Sequence, residues 1–517
     1  MLNVILINIF FISACMYILY KSKHAYHMLQ LESYKNERYI KWIKKNKIIK
    51  IKELFLIIPS IILFFNFNIG TIINIILIIL LFLFKDKYIE KKPLVITARI
   101  KRMYFTELLL FIIVGILLNI FKQIYILIIL NILIIFTYLF ILIINIINTP
   151  IEKCVQKKYY NIAKKKLKDN KNLKVIGITG SYGKTSTKYI IGTILSQKYN
   201  TLITPESYNT TMGVVRTINE KLNNTHQIFV CEMGAKNIGD IKEICNLVNP
   251  TYGVLTAIGP QHLETFKTLE NVKKTKMELI DSLPTEGKSF VNFEDENIRE
   301  ISFKDNNITF GLNKECNYYA ENIEINEFGS NFDICMNNEK RISVKTKLLG
   351  IYNIVNIVGA VAICNELGLS EEEIIAGIRF LKPVVHRLEL KRNPNGYMII
   401  DDAYNSNVKG AKMALDVLAS FNKGKRILIT PGIVDLGEKF EEYNKNLGKQ
   451  AAESADYIIL VGEKQTKPIY DGVIEEGYNK NNIYIAKNLQ DALNKLNSII
   501  DKNSVVLFEN DLPDNYL

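Results

Sequence analysis

Residues 177–188 read GITGSYGKTSTK, and their reading decides what the rest of the chain can be. An apolar run with the character of a buried strand, LKVIGIT (173–179), leads into them. KTSTKYIIGTILSQK (184–198) leads out and reads as a helix. In a strand–loop–helix setting, backbone N–H groups and the helix N-terminus face an anion. The commonest nucleotide loop, G-x-x-x-x-G-K-[ST], does not fit, because five residues before Gly183 stands Ile178. The loop is instead TGSYGKTS, running from Thr179 through Gly180, Ser181 and Gly183 to Ser186. Its physics is still that of a phosphate cradle. Gly180 and Gly183 let the backbone wrap close to phosphate, Lys184 reaches the β- and γ-phosphates, and Thr185 can hold Mg²⁺.

Downstream, strands and helices alternate. QIFVCEMG (227–234), YGVLTAIG (252–259), YMIIDDAY (397–404), RILITPG (426–432), YIILVGE (457–463) and SVVLFEN (504–510) read as strands, with helical stretches between several of them. This predicts a parallel α/β sheet in two domains, 151–383 and 384–517, with the boundary near LKPVVHRLEL (381–390).

Upstream, residues 1–150 read as a membrane region. Residues 1–20 carry no charge, and no basic segment precedes them, so a retained transmembrane helix is expected rather than a signal peptide. The basic stretch 21–52 holds ten Lys or Arg and includes an interfacial amphipathic segment. Apolar runs come next at 54–84, interrupted by NFNIG (66–70), and at 108–121 and 124–147. Segments 21–52, 85–104 and 153–174 are all basic, and two helical hairpins place all three on the cytoplasmic side. The expectation is about five crossings of a bacterial cell membrane, with everything after Thr149 cytoplasmic.

Charge supports this division. The 517-residue chain carries a formal charge of +13, but residues 1–174 hold 27 Lys and Arg against 8 Asp and Glu, and the remainder holds 38 against 44. The basic excess lies beside the apolar runs, which argues for a membrane face and against nucleic acid as a partner. Seven scattered cysteines form no CxxC pair, which excludes a disulfide frame or zinc pattern.

Six segments in order resemble the Mur ligase family. The loop itself has the form T-G-[ST]-x-G-K-[ST]-[ST]. CEMGAKNIGDI (231–241), GPQHLETFKTLENVKKTKMEL (259–279), GIYNIVNIVGAVA (350–362), HRLE (386–389) and IDDAYNSN (400–407) are similar to further family segments. IDDAYNSN and YNTTMGV (208–214) resemble the MurF type in particular. The resemblance implies a P-loop central domain, a Rossmann-like C-terminal domain, and an ATP-dependent, ADP-forming amide ligase of peptidoglycan synthesis acting through an acyl phosphate. By the same resemblance Lys184, His262, Lys276 and Arg387 are catalytic. Thr185, Glu232, His262 and Lys276 would hold Mg²⁺ at two sites, with Lys276 carbamylated. Thr179, Gly180, Ser181, Gly183, Lys184, Thr185, Ser186, Asn353, Arg387 and Asp402 would bind ATP. Asn209, Thr211, Tyr404 and Asn405 would face the cell-wall peptide precursor and the incoming amino acid or dipeptide.

The residues taken alone keep blander roles open. A lone carboxylate ending a buried strand, as Glu232 does, is costly unless it is paired or metal-bound. His262 would serve equally as a cap or core residue. Lys276 stands in the lysine-rich VKKTKMEL, where solvated surface is the ordinary reading, and one of Asp401 and Asp402 is expected to be structural only.

Three departures from the family bear on substrate. The family's N-terminal UDP-binding domain has no counterpart, and the membrane region stands in its place. Tyr352 replaces the histidine of G-x-H-N. FENDLPDNYL replaces the K-G-S segment usual near the end of a MurF-type ligase. A membrane-bound polyglutamate-type ligase and a non-catalytic nucleotide-binding scaffold are the competing readings.

Overall fold

Asn66 breaks the apolar run 54–84 as the sequence suggests. It leaves the helical region at φ −147°, and its side chain accepts a hydrogen bond from Ile69 N at 3.1 Å, capping the helix Phe67–Leu83 after Ile57–Phe65 has ended. Four residues on, Gly70 lies so close to the first helix that a Cβ there would stand 2.8 Å from Leu63 N, so the two helices fold tightly on each other. The computed structural model describes residues 2–46, 48–85, 93–120, 123–303, 306–326, 329–337, 340–403, 407–434 and 436–511. The chain divides into two units, one through Lys157 and one over Lys158–Asp511.

The first unit is helical. Leu2–Leu31 is longer than the 1–20 segment expected, and the run 124–147 is divided at Phe136 between Gln123–Ile135 and Thr137–Asp169. Among the described residues, Asn3–Leu31 and Thr137–Asp169 are long and apolar enough to cross a membrane by length and composition; Phe67–Leu83 and Gln123–Ile135 are shorter apolar helices. The unit has an apolar core into which a few paired polar groups are set, and apolar side chains also cover its outside. Lys21 Nζ donates to Glu53 Oε2 at 2.6 Å and to the Ile134 carbonyl at 3.0 Å. Glu107 accepts from Ser22 and Tyr26, and Asn131 donates to Asn74. Ile61, Phe65, Ile72, Ile112 and Ile116 point outward, Phe65 with 86% of its surface exposed.

The second unit carries two sheets. The first comprises β1 (Lys174–Thr179), β2 (Thr201–Ile203), β3 (Ile228–Glu232), β4 (Tyr252–Leu255), β5 (Lys288–Asn292), β6 (Asn307–Gly311), β7 (Tyr318–Asn326), β8 (Gly329–Met336) and β9 (Lys340–Thr346), in the order β2-β3-β1-β4-β5-β6-β7-β8-β9. The second comprises β10 (Glu389–Arg392), β11 (Met398–Asp402), β12 (Arg426–Thr430), β13 (Tyr457–Val461), β14 (Ile483–Ala486) and β15 (Val505–Glu509), in the order β10-β11-β15-β12-β13-β14. Neither is purely parallel, which corrects the sequence expectation. β7, β8 and β9 form an antiparallel meander at one edge of the first sheet, and β10 pairs antiparallel with β11 at one edge of the second. β1, β3 and β4, buried along most of their length, are parallel and read as the continuous apolar runs such strands require. The helix Ile351–Glu366 packs over the first sheet, where Gly359 meets the Phe310 ring; a Cβ at Gly359 would come within 2.7 Å of it. That close approach sets how near the middle of this helix lies to β6. All seven cysteines are free, and five are buried.

Candidate functional site

The register of β1 against β3 sets Ile178 beside Glu232, so the loop after β1 and the carboxylate that ends β3 face each other at the C-terminal edge of the sheet. Ligands in open α/β sheets bind outside that edge. Gly183, at φ 80°, caps the helix Lys184–Leu195 in the left-handed region that glycine tolerates. Gly180, at φ 154°, presses against Thr256 and Ala257, just past the end of β4: a Cβ there would stand 2.1 Å from Thr256 Oγ1 and 2.9 Å from Ala257 N. Gly180→Ala is therefore expected to cost about 1–3 kcal/mol of stability through overpacking and to abolish nucleotide binding. A thermal melt and a titration with a fluorescent ADP analogue would check both.

The hydroxyls of Thr179 and Ser181 turn inward. Thr179 Oγ1 donates to Met233 O at 3.0 Å, and Ser181 Oγ exchanges hydrogen bonds with Gly259 O and N. Their side chains staple the loop to its neighbours, as does the Ser181 backbone, whose N–H donates to Ala257 O at 2.7 Å. Lys184 Nζ donates to Gly180 O at 2.7 Å and Ser181 O at 3.1 Å. Burial pulls its ammonium down to about 8, against the pull of Glu232 and helped by Arg387.

Glu232 is the hub. Its Oε1 accepts from Thr185 Oγ1 at 3.2 Å and Asn209 Nδ2 at 2.9 Å, and its Oε2 accepts from Lys188 Nζ at 2.9 Å. Burial pushes the carboxyl up, but the ammonium groups of Lys188 and Lys184 outweigh it and hold the group below its ordinary value. Asn209, expected on the substrate side, thus sits on the Glu232 carboxylate. Thr211 lies farther out, donating to Glu243 at 2.7 Å.

Lys276 is 1% exposed, which overturns the surface reading of VKKTKMEL. It is buried on the inner face of the helix Leu269–Ile280. Burial, then the charge of Lys184, drives its ammonium well below the ordinary lysine value, despite Glu278, Asp240 and Glu232. His262 lies beyond β4 with a left-handed backbone, φ 50°.

Asn353, Ser186 and Arg387 come together around a small cleft that Tyr189, Leu381 and Lys382 also line. The two aspartates at the end of β11 differ in their partners. Asp401 is held by His386 Nδ1 at 2.8 Å and Lys391 Nζ at 2.6 Å. Asp402 accepts from Leu388 N at 3.1 Å, and burial raises it to about 6 against the Arg387 charge, the Leu388 N–H and the Glu509 side chain. Tyr404 and Asn405 lie outside the described residues.

Two features give no signal in the sequence. One is Lys188. The other is Lys409, from the helix Val408–Ala419, which donates to the buried Asp295 at 3.0 Å with its Nζ 5.4 Å from the centroid of the Tyr182 ring in the loop. A lysine far along the chain from the loop has no periodicity to announce it.

Among the described residues no group of three His, Cys, Asp or Glu is placed to share a metal. The Thr185 hydroxyl and Glu232 Oε1 are nonetheless the hard oxygen donors that Mg²⁺ takes, and both lie at the loop.

A phosphate cradle with a carboxylate across from its threonine, beside a second α/β sheet, defines an enzyme of nucleotide phosphoryl transfer. The Mur ligase middle domain matches residues 178–364, and the Mur ligase glutamate ligase domain matches residues 386–509. The UDP-N-acetylmuramoyl-tripeptide–D-alanyl-D-alanine ligase of Bacillus subtilis is 28% identical over 338 residues, 65% of this chain and 72% of that protein. The same-named ligase of Buchnera aphidicola subsp. Baizongia pistaciae is 30% identical over 332 residues, 63% of this chain and 71% of that protein. The MurF ligase of Thermotoga maritima in complex with ADP superposes with a TM-score of 0.62 at 25% identity, covering 69% of this chain and 80% of that one. The chain belongs to the Mur ligase family. It spans 65–72% of the length of four relatives with that ligase name.

Proposed function

We propose that this protein is an ATP-dependent, ADP-forming amide ligase of peptidoglycan precursor synthesis, joining D-alanyl-D-alanine or a similar amine to a muramyl-peptide carboxylate. The observation that carries it is the convergence of Lys184, Thr185 and Glu232 at the loop of a chain whose relatives are named for that ligation. A carboxylate is a poor electrophile. Transfer of the γ-phosphoryl group converts it to an acyl phosphate and releases ADP; the amine then attacks the acyl carbon, and phosphate leaves. Such transfer needs positioning and charge neutralisation more than acid–base groups. Lys184 supplies a cation on the loop, and Arg387 a second beside the cleft. Asn353 and Asp402 would hold the base and the ribose. Thr185 and Glu232 would hold Mg²⁺, with His262 and Lys276 toward a second site; bound Mg²⁺ supplies further charge neutralisation. Lys276 fits carbamylation, since a buried lysine driven toward its neutral amine adds CO₂, releases a proton and becomes a carboxylate-like oxygen donor. A carbamate signal after exchange with ¹³C-bicarbonate, absent in Lys276→Arg, would test that.

The helical unit is a multi-pass anchor in a bacterial membrane, with the ligase on the cytoplasmic side. Its outward Ile and Phe side chains and its internally paired Lys21, Glu53 and Glu107 support this, because lipid admits polar groups only where they satisfy one another. The acceptor in this reading is membrane-proximal, in the manner of a lipid-linked precursor, and tethering raises its effective concentration.

The test is turnover by the detergent-purified full chain with Mg²⁺. ADP release that requires both UDP-N-acetylmuramoyl-tripeptide and D-alanyl-D-alanine, with a product of pentapeptide mass, is the expected result. Ligation of glutamate instead would replace the muramyl reading with the polyglutamate one. ADP binding with no turnover on soluble or lipid-linked acceptors would leave a scaffold.

A further inference from the structure

Lys188 lies three residues beyond Thr185 on the same helix, so both side chains reach the same side of it. The Lys188 side chain is 0% exposed and that of Glu232 1%. A buried ammonium is tolerated only when it is paired and its protons are used. Here Nζ donates to Glu232 Oε2 at 2.9 Å and to the Glu206 carbonyl, and it stands 4.8 Å from the centroid of the Tyr189 ring.

The partners of the carboxylate are divided between its oxygens. Oε2 faces Lys188, while Oε1 faces Thr185 and Asn209. The segment 204–209 is fastened around the same group. Glu206 holds φ 40°, a left-handed backbone that glutamate adopts only when its surroundings impose it, and its carbonyl is the one Lys188 grips. Three residues on, Asn209 bonds Glu232 through its side chain and accepts from Gly234 N at 2.7 Å through its carbonyl. Thr204 Oγ1 accepts from Glu232 N at 3.1 Å.

We propose that Lys188 is a positioning residue that ties the Glu232 carboxylate to the backbone of residues 204–209, so that divalent-cation binding at the phosphate loop and the order of this segment depend on each other. The inference rests on the nucleotide reading above. By occupying Oε2, Lys188 leaves Oε1 turned toward the Thr185 hydroxyl, where two hard oxygens converge. By gripping the Glu206 carbonyl, it holds the segment that carries Asn209 and leads into the helix Thr211–Lys221. A lysine that merely neutralised Glu232 would act in the opposite sense: removing it would leave a more negative site and strengthen cation binding.

The experiment uses the full chain in detergent with Lys188→Met, and with Lys188→Gln, which keeps a donor for Oε2 without the charge. ADP affinity is measured by calorimetry with and without Mg²⁺, and hydrogen exchange is monitored in the peptide 204–210. ADP affinity without Mg²⁺ should be retained, because Lys188 Nζ is turned to Glu232 and the Glu206 carbonyl; this also reports that the fold is intact. The gain in ADP affinity conferred by Mg²⁺ should fall by about 10–100-fold in Lys188→Met, the usual loss when a residue supporting a metal ligand is removed, and by less in Lys188→Gln. Exchange in 204–210 should accelerate while the helix Ile351–Glu366 stays protected. An unchanged or larger Mg²⁺ gain in Lys188→Met, or unchanged protection of 204–210, overturns the proposal; if Lys188→Met does not fold, the same readings on Lys188→Gln decide. An unaltered chain that shows no Mg²⁺-linked ADP binding would instead sink the nucleotide reading itself.

Discussion

Lys184→Ala should lower ATP turnover by about 10³-fold, the loss typical of removing one preorganised donor to developing charge, while the protein stays folded. The ammonium is held where the loop needs it: it spans the carbonyls of Gly180 and Ser181, at the start of a helix whose N–H groups point the same way. Its removal strips two carbonyl acceptors of a donor but breaks no strand pairing and empties no part of the apolar core, so the thermal midpoint should move by only a few degrees. The pH profile offers an independent check. Lys184 is pulled down to about 8, so its charge is present below that value and lost above it. Turnover that depends on this cation should therefore decline as pH rises past about 8, earlier than an ordinary lysine would allow. Turnover in Lys184→Ala above a tenth of the unaltered rate would mean that the lysine does not meet the transferred phosphoryl group.

Legibility in the sequence tracks how local the signal is. β1 and β3 are continuous apolar runs that stop at TGS and EMG, so strand, loop and carboxylate are legible together. The spacing of Gly180 and Gly183 announces the loop, because only glycine meets Thr256 so closely. The antiparallel β7–β9 meander is not legible. Its strands mix exposed charge with buried Phe332 and Ile334, and their pairing is a property of the sheet rather than of any one segment. The division of the run 124–147 at Phe136 is invisible for a related reason, since no glycine or proline marks it. Charged residues are the hardest. In VKKTKMEL three lysines look alike, and only the placement of the helix against β1 and β4 buries Lys276 alone among them. Lys188 looks like the solvated end of a helix turn. Its meaning depends on Glu232, 44 residues away, and on the Glu206 carbonyl. Asp401 and Asp402 stand side by side in the sequence, and nothing there announces that His386 and Lys391 engage Asp401.

Glu232→Ala should destabilise the ligase unit by about 3–5 kcal/mol, because it leaves the Lys188 ammonium buried without its counter-charge. The cost comes from what remains, and this separates stability from function. Lys188→Met combined with Glu232→Leu replaces the whole buried pair with apolar side chains of similar length. Exchanges of this kind are often neutral or favourable, so the double variant should return to within about 1 kcal/mol of the unaltered protein. It should nevertheless remain without turnover, since neither the carboxylate that faces Thr185 nor its tether to residues 204–209 survives. Denaturant unfolding of both variants, read beside ADP release, distinguishes the outcomes. A double variant as unstable as Glu232→Ala would show that the pair is not energetically separable. The hydrogen bonds from Thr185 and Asn209, and the Thr204 contact to the Glu232 backbone, would then bind the carboxylate into a larger network. A double variant that is stable but inactive would show that this buried pair is kept for what it does at the phosphate loop, since the fold can be held as well without it.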